Sequence, residues 1–338
     1  MPRCVTFSML TALAVGASVS CSACTGSPSP SPVVSAALPS PLTYATQALD
    51  LIDTNLYVGP GWPSSRAVAL QRIQGVARTT DTYEALRGAL AAAGQHEGDL
   101  ISSADMGTVP PSTEEPATTS TDGVTTITLP GFADISARPG SGQPTAAERS
   151  YVRRGSAVIA NAAALTTCGW VVDVRGNGSI DVPVLIAAVA PLLPTGPALV
   201  EVDRTGKEVR VTLDDNAVKM DATRVVLPLD PVHRTTQPVV VLQDGATARA
   251  GEAVVLAFDG RDRSTTIGAP TAGDTTDGTT EVLPDGAHLY VTRWRMAARN
   301  GHPTAGPLVP DQTLGAPGAA DPNLAVTAAR SWLRDQCR

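Results

Sequence analysis

Between the apolar runs Pro238-Val239-Val240-Val241-Leu242 and Ala253-Val254-Val255-Leu256-Ala257-Phe258 stands a short turn, Thr247-Ala248-Arg249-Ala250-Gly251-Glu252. An apolar run of strand length, a turn and a second apolar run of helical length describe an elbow that holds one side chain out at the edge of a sheet. The apex of this elbow is Arg249. A guanidinium has a pKa above ~12 and no lone pair available for attack, so it pairs with carboxylates but forms no acyl-enzyme. Thr247 and Ser264 carry the nearest hydroxyls, neither at the apex, and turn hydroxyls ordinarily bond to backbone.

The flanking residues extend the pattern. Upstream runs Gly169-Trp170-Val171-Val172-Asp173-Val174-Arg175-Gly176-Asn177, and downstream come Gly268-Ala269-Pro270-Thr271-Ala272-Gly273 and Pro310-Asp311. In order and spacing, over roughly residues 169 to 315, the chain resembles the tail-specific (C-terminal processing) serine proteases, a family that includes the tricorn core and the repeats of interphotoreceptor retinoid-binding protein. Its members show D-L-R-x-N-x-G-G at a strand end, T-A-S-A/S-x-E with the serine third, G-E-P-T-x-G, and a late P-D. The resemblance implies a mixed α/β fold with the spiral β/α core shared with crotonase and ClpP.

It also implies where the machinery has changed. Arg249 stands at the serine position. The paired glycines whose amides would bind the oxyanion correspond to Ser179 and Ile180, and the lysine base of some branches corresponds to Asp274. Branches closer to this chain take a histidine from the N-terminal region, for which His96 in Gly94-Gln95-His96-Glu97 is the candidate. Arg249, His96 and Asp274 are therefore the expected ligand-binding residues of a remnant cleft. The expected occupant is an extended peptide or protein segment, with a peptide C-terminal carboxylate suited to the guanidinium. Two alternatives stay open: a working serine-type peptidase with an atypical site, and a structural cell-envelope lipoprotein.

The elements that must position these residues follow from the rest of the chain. Its 338 residues are enough for a sizeable core, which the scarcity of aromatics and the wealth of Ala and Val require to be built from small aliphatic side chains. A net charge of -7 with scattered basic residues excludes a nucleic-acid partner. Pro2-Arg3 followed by the apolar run Val5 to Ala17 fits a secretory leader over residues 1-24 and is too short for a membrane span. Cys21 or Cys24 is a candidate lipidation site, and such an anchor is the one membrane association expected.

Residues 25-41, rich in Ser and Pro, read as a tether. Apolar residues recurring at three and four over 42-103 predict a three-helix subdomain, and 104-123 reads as a loop, leaving too few residues for a PDZ domain before the 124-338 core. Within that core, helices are expected over Ala146 to Ala164, Val182 to Leu193 and Asp321 to Leu333. Hairpins are expected around Asp203-Arg204-Thr205-Gly206-Lys207 and Pro284-Asp285-Gly286. Cys168 and Cys337, the cysteines left after a leader is removed, are expected to pair in an oxidising compartment.

Other signals carry less. Gly176-Asn177-Gly178 lacks the third glycine of a dinucleotide fingerprint. Cys21-x-x-Cys24 has no matching second pair, and Asp274 with Asp277 in the run Thr275 to Thr280 lacks the distal glutamate of a calcium loop and reads as a solvated loop. His233, His288 and His302 read as isolated surface residues, and Asp173 with Arg175 as a structural ion pair. No metal and no cofactor is expected.

Overall fold

A computed structural model describes residues 38–94, 100–106, 114–134, 143–221, 224–231, 233–301, 304, 306–314 and 322–337. His96, His302, the leader, Cys21, Cys24 and nearly all of the tether lie outside them. Three helices come first, α1 (Pro41–Ile52), α2 (Trp62–Ile73) and α3 (Tyr83–Ala92). Then follow β1 (Leu100–Ile101), β2 (Ala117–Thr121), β3 (Val124–Thr128), α4 (Ala146–Ala162), β4 (Gly169–Asp173) and α5 (Val182–Ala188). An antiparallel run comprises β5 (Gly196–Asp203), β6 (Glu208–Leu213), β7 (Ala217–Met220) and β8 (Arg224–Pro228). The elbow strand β9 (Val239–Gln243) leads to α6 (Ala250–Phe258), β10 (Ser264–Gly268), β11 (Thr276–Val282), β12 (His288–Ala298), β13 (Gln312–Thr313) and α7 (Pro322–Gln336). Among the described residues no PDZ module stands between the helices and the core.

Two sheets organise these elements. The first runs β13-β10-β9-β4-β3-β2 and is parallel except for the β2–β3 hairpin. Its central strands are buried on both faces, which is why they read as unbroken apolar runs. Val172, Val239 and Val241 face a core shared with α4, α5 and α6, while Val171, Val240 and Leu242 face Ala325, Ala329 and Leu333 of α7. The second sheet, order β1-β12-β5-β6-β7-β8 with β11 also on β12, is antiparallel. Local signals match these elements: Thr145 and Glu148 form a capping box at α4, and Asp181 caps α5 by accepting from the Val184 amide at 3.1 Å.

The expected pairing of Cys168 with Cys337 is present, with a Cα–Cα separation of 4.8 Å. It ties the end of α7 to the start of β4. Gly169 begins that strand at φ 147, and a side chain there would overlap the Pro238 carbonyl and Leu333.

Two sequence expectations are corrected. The segment read as a loop over 104-123 carries β2, joined to β3 through Asp122 and Gly123, both at positive φ. Ala117–Thr121 is an edge strand with almost no buried side chain, so the alternation that reveals strands is missing. The run Thr275 to Thr280, read as a solvated loop, instead begins β11, and Asp277 is only 7% exposed.

The helical subdomain packs on the β11–β12 hairpin through Leu283, Ala287, Leu289 and Val291. At its centre Asp285, in the hairpin turn, accepts hydrogen bonds from the hydroxyls of Tyr44 (3.0 Å) and Tyr83 (2.5 Å). Burial, and then Asp285, raise the pKa of both phenols. Asp285→Ala strands both buried hydroxyls and is expected to cost about 2–4 kcal/mol, with Asp285→Asn, which keeps an acceptor, costing about 1. Chemical denaturation measures both losses; equal, negligible losses would show that the turn does not hold the helices.

Candidate functional site

The elbow forms as its sequence predicts. Arg249 sits at the start of α6 with φ 50 and ψ -114, a conformation costly for a residue with a Cβ. Surrounding hydrogen bonds impose it. The Arg249 amide donates to the Asp274 carbonyl and to Glu252 Oε2, both at 3.1 Å. The other Glu252 oxygen accepts from the Thr271 hydroxyl at 2.5 Å and the Gly273 amide at 2.9 Å. Glu252 has no exposed surface, and burial raises its pKa. A side chain at Gly251 would overlap the Asn177 carbonyl oxygen, so the helix rests directly on the upstream turn.

The Arg249 side chain turns to Asp274. Nε donates to Asp274 Oδ2 at 2.8 Å, while Asp274 Oδ1 accepts from the Thr276 hydroxyl at 2.7 Å. The guanidinium lies 5.6 Å from the centroid of the Tyr290 ring, within range of a cation–π contact. Gly278 makes room for that ring, since a Cβ there would press on Tyr290 and the Val291 carbonyl.

Ser179 and Ile180 lie beside the elbow, as the motif order requires. The Ser179 carbonyl accepts from the Ala250 amide at 2.8 Å, and the Asn177 carbonyl accepts from the Ala248 amide at 2.9 Å. In a peptidase elbow the amide following the apex helps to hold the oxyanion; here a main-chain carbonyl already occupies it. Ser179 is itself fixed, its Oγ accepting from the Phe132 amide at 2.7 Å and its amide donating to Asn177 Oδ1 at 3.1 Å. Ile180 is exposed.

The nearby hydroxyls are engaged structurally. Thr247, fully buried, donates to the Val174 carbonyl at 3.0 Å, and Ser264 Oγ lies 2.7 Å from the Arg261 carbonyl. Asp173 and Arg175 form a forked ion pair, with contacts of 2.8 and 2.6 Å. Asp311 accepts from the Thr266 amide at 2.9 Å, closing the sheet edge beside β13.

Behind Arg249 lies a set of buried acids that no motif marks. Asp277 has its carboxyl pushed up to about 6, chiefly by burial, with a hydrogen bond to Glu201 and the charge of Arg249 acting in the opposite direction. Glu201, on β5, is fully buried. Burial first, then Glu148 and Asp277, raise Asp181 well above the ordinary carboxylate range. From the helical subdomain Tyr57 reaches the same place. Burial and then Asp274 raise its phenol, and a Cβ at Gly94 would press on Tyr57. Thus Arg249, Asp274, Ser179 and Ile180 come together, while His96 lies outside the described residues. Sequence reasoning missed Tyr57, Tyr290 and Glu201 and set Asp277 in a solvated loop; these residues reach the site from separate elements. Among the described residues no cluster of His, Cys, Asp and Glu is arranged to hold a metal ion. The site can present a fixed cation flanked by aromatic rings and a carboxylate, without an apical nucleophile.

Residues 126–314 match the model of peptidase family S41. A nisin-resistance protein of Lactococcus lactis subsp. lactis is 28% identical over 172 residues, which make up 50% of this chain and 51% of that protein; the chain thus spans about half the length of this relative. A lipoprotein from Streptococcus agalactiae superimposes with a TM-score of 0.71 at 19% identity, over 89% of this chain and 98% of that one. The photosystem II D1 C-terminal processing protease superimposes with a TM-score of 0.53 at 14% identity, over 82% and 94% respectively. At these identities the structural likenesses establish the fold.

Proposed function

The chain belongs to peptidase family S41, and from that membership we propose that it is an exported protein which has lost peptide hydrolysis and binds an extended peptide or protein segment beside Arg249. The observation that carries this reading is the elbow itself: its apex is a guanidinium bound to Asp274, and the adjoining Ala250 amide is bound to Ser179. Removing a nucleophile leaves only ~10³ to 10⁴-fold acceleration over water, and each lost oxyanion donor takes away roughly 10² to 10³-fold more. Both losses act on one step. Export is supported by the apolar leader and by the Cys168–Cys337 disulfide, which belongs to oxidising compartments. Among the described residues no helix is long and apolar enough to cross a membrane. Attachment through a lipid at Cys21 or Cys24, which follow the apolar leader, is part of the proposal.

Two measurements test it. Extended peptides, with nisin included because of the relative's name, should bind the protein without being cleaved, and free-acid peptides should bind more tightly than their amides. Equal affinity for acid and amide would remove Arg249 from recognition. Arg249→Ser should remain at least about 10²-fold below a working peptidase, because the Ala250 amide stays engaged. Labelling of the unaltered protein by a fluorophosphonate, or vigorous hydrolysis by Arg249→Ser, would replace this reading with that of an active peptidase. Absence of binding to any peptide would favour a structural role in the envelope.

A further inference from the structure

We propose that the Asp274 side chain is an internal stand-in for a ligand carboxylate, and that a carboxylate ligand enters the site by displacing it from Arg249. The inference deepens the peptide-binding reading and rests on it for the identity of the natural ligand. Its physical basis is the way the two partners are held. The backbone of Asp274 is fixed, because its carbonyl accepts from the amides of Arg249 at 3.1 Å and Thr276 at 2.8 Å. The side chain is held by two contacts alone among those described above, Arg249 Nε and the Thr276 hydroxyl. Rotation about its own bonds therefore withdraws this carboxylate from Arg249 without moving the elbow.

Arg249 is held differently. Its main chain is clamped by Glu252 and its guanidinium rests against Tyr290, so the cation stays in place when its partner leaves. Both side chains are about one-fifth exposed, 21% for Arg249 and 19% for Asp274, so an incoming carboxylate can reach the fork while the pair remains shielded from full hydration. The displaced Asp274 stays at the solvent-facing rim, where water replaces the lost contact. Asp274 thus sets a threshold: a ligand must offer a carboxylate that competes with one already tethered beside the cation, and neutral ends gain nothing from the exchange. The same contact keeps the cation from collecting free anions.

The test uses sodium acetate as the probe. The Arg249 Nε–H resonance, assigned by its disappearance in Arg249→Lys, is followed during acetate titrations of the unaltered protein, Asp274→Asn and Thr276→Val. Asp274→Asn should respond at roughly ten-fold or more lower acetate than the unaltered protein, Thr276→Val should lie between, and acetamide should shift none of them. A response unchanged by either substitution, or an equal response to acetamide, overturns the proposal. Should Asp274→Asn fail to fold, Thr276→Val decides alone. Free-acid and amidated forms of one alanine-rich hexapeptide, measured against the same variants, separate the two levels. An acetate effect without peptide binding retains the stand-in and removes the peptide reading, whereas peptide binding indifferent to Asp274→Asn does the reverse.

Discussion

Cys337→Ser lowers the stability of the folded body by roughly 2–4 kcal/mol, and the melting temperature by about 3–6 °C. The disulfide closes a loop with a sequence separation of 169, for which the chain-entropy relation gives a ceiling of about 5 kcal/mol; such bonds usually deliver less than the ceiling. Cys337 is exposed, so the substitution leaves no cavity, and the effect measured is that of the cross-link. The loss should be felt first at α7, which contributes Ala325, Ala329 and Leu333 to one face of the parallel sheet. With the covalent tie gone, the last turn keeps the Arg334–Asp122 ion pair, an exposed contact worth little. Hydrogen exchange should therefore show α7 opening below the global unfolding energy. A melting temperature that is the same under reducing and non-reducing conditions would show that the tie adds nothing.

The second large effect is an unusual dependence on pH. Asp277 rises from 3.8 to about 6 on folding, so the folded state binds its proton more tightly than the unfolded state. The stabilisation is fully present below 3.8 and is lost as pH rises through about 6, amounting to about 3 kcal/mol. Asp181 and Glu252 are also raised, and they act with the same sign. His288, lowered by burial, opposes them, because its contribution is lost as pH falls. The carboxylates that are lowered, Asp81, Asp203 and Asp214, oppose them only at more acidic pH. Denaturant midpoints should therefore fall between pH 4.5 and 7, and Asp277→Asn should flatten the curve. A midpoint that rises across this interval would show that the buried acids carry no excess proton.

How much of this was legible in the sequence follows from where each residue's signal lies. Val239 to Leu242 declared a doubly buried strand because both faces demand apolar side chains, and the elbow was legible because its parts are contiguous. The cysteine pairing followed from the absence of other partners after a leader is removed. The environment of Arg249 was not legible in the same way. Tyr57, Asp277 and Tyr290 are brought together by the docking of a helical subdomain on a hairpin, and no spacing in the chain encodes that contact. Asp277 was misread for a further reason: threonine, glycine and aspartate suit loops when exposed, and only the pairing of β11 with β12 makes this run a strand. The partner of Arg249 was likewise beyond the sequence, since Glu252 and Asp274 were both within plausible reach; the fold gives the main chain to both and the side chain to Asp274.

The strained backbone at position 249 has a consequence for how such proteins diversify. Its cost, on the order of 1–3 kcal/mol, persists although the residue there performs no nucleophilic attack, so the contortion belongs to the corner itself. Glu252, held by Thr271 and Gly273, braces that corner by accepting from the Arg249 main-chain amide. The position therefore behaves as a socket: what is plugged into it can be exchanged, and its purpose with it, while the wiring behind remains intact.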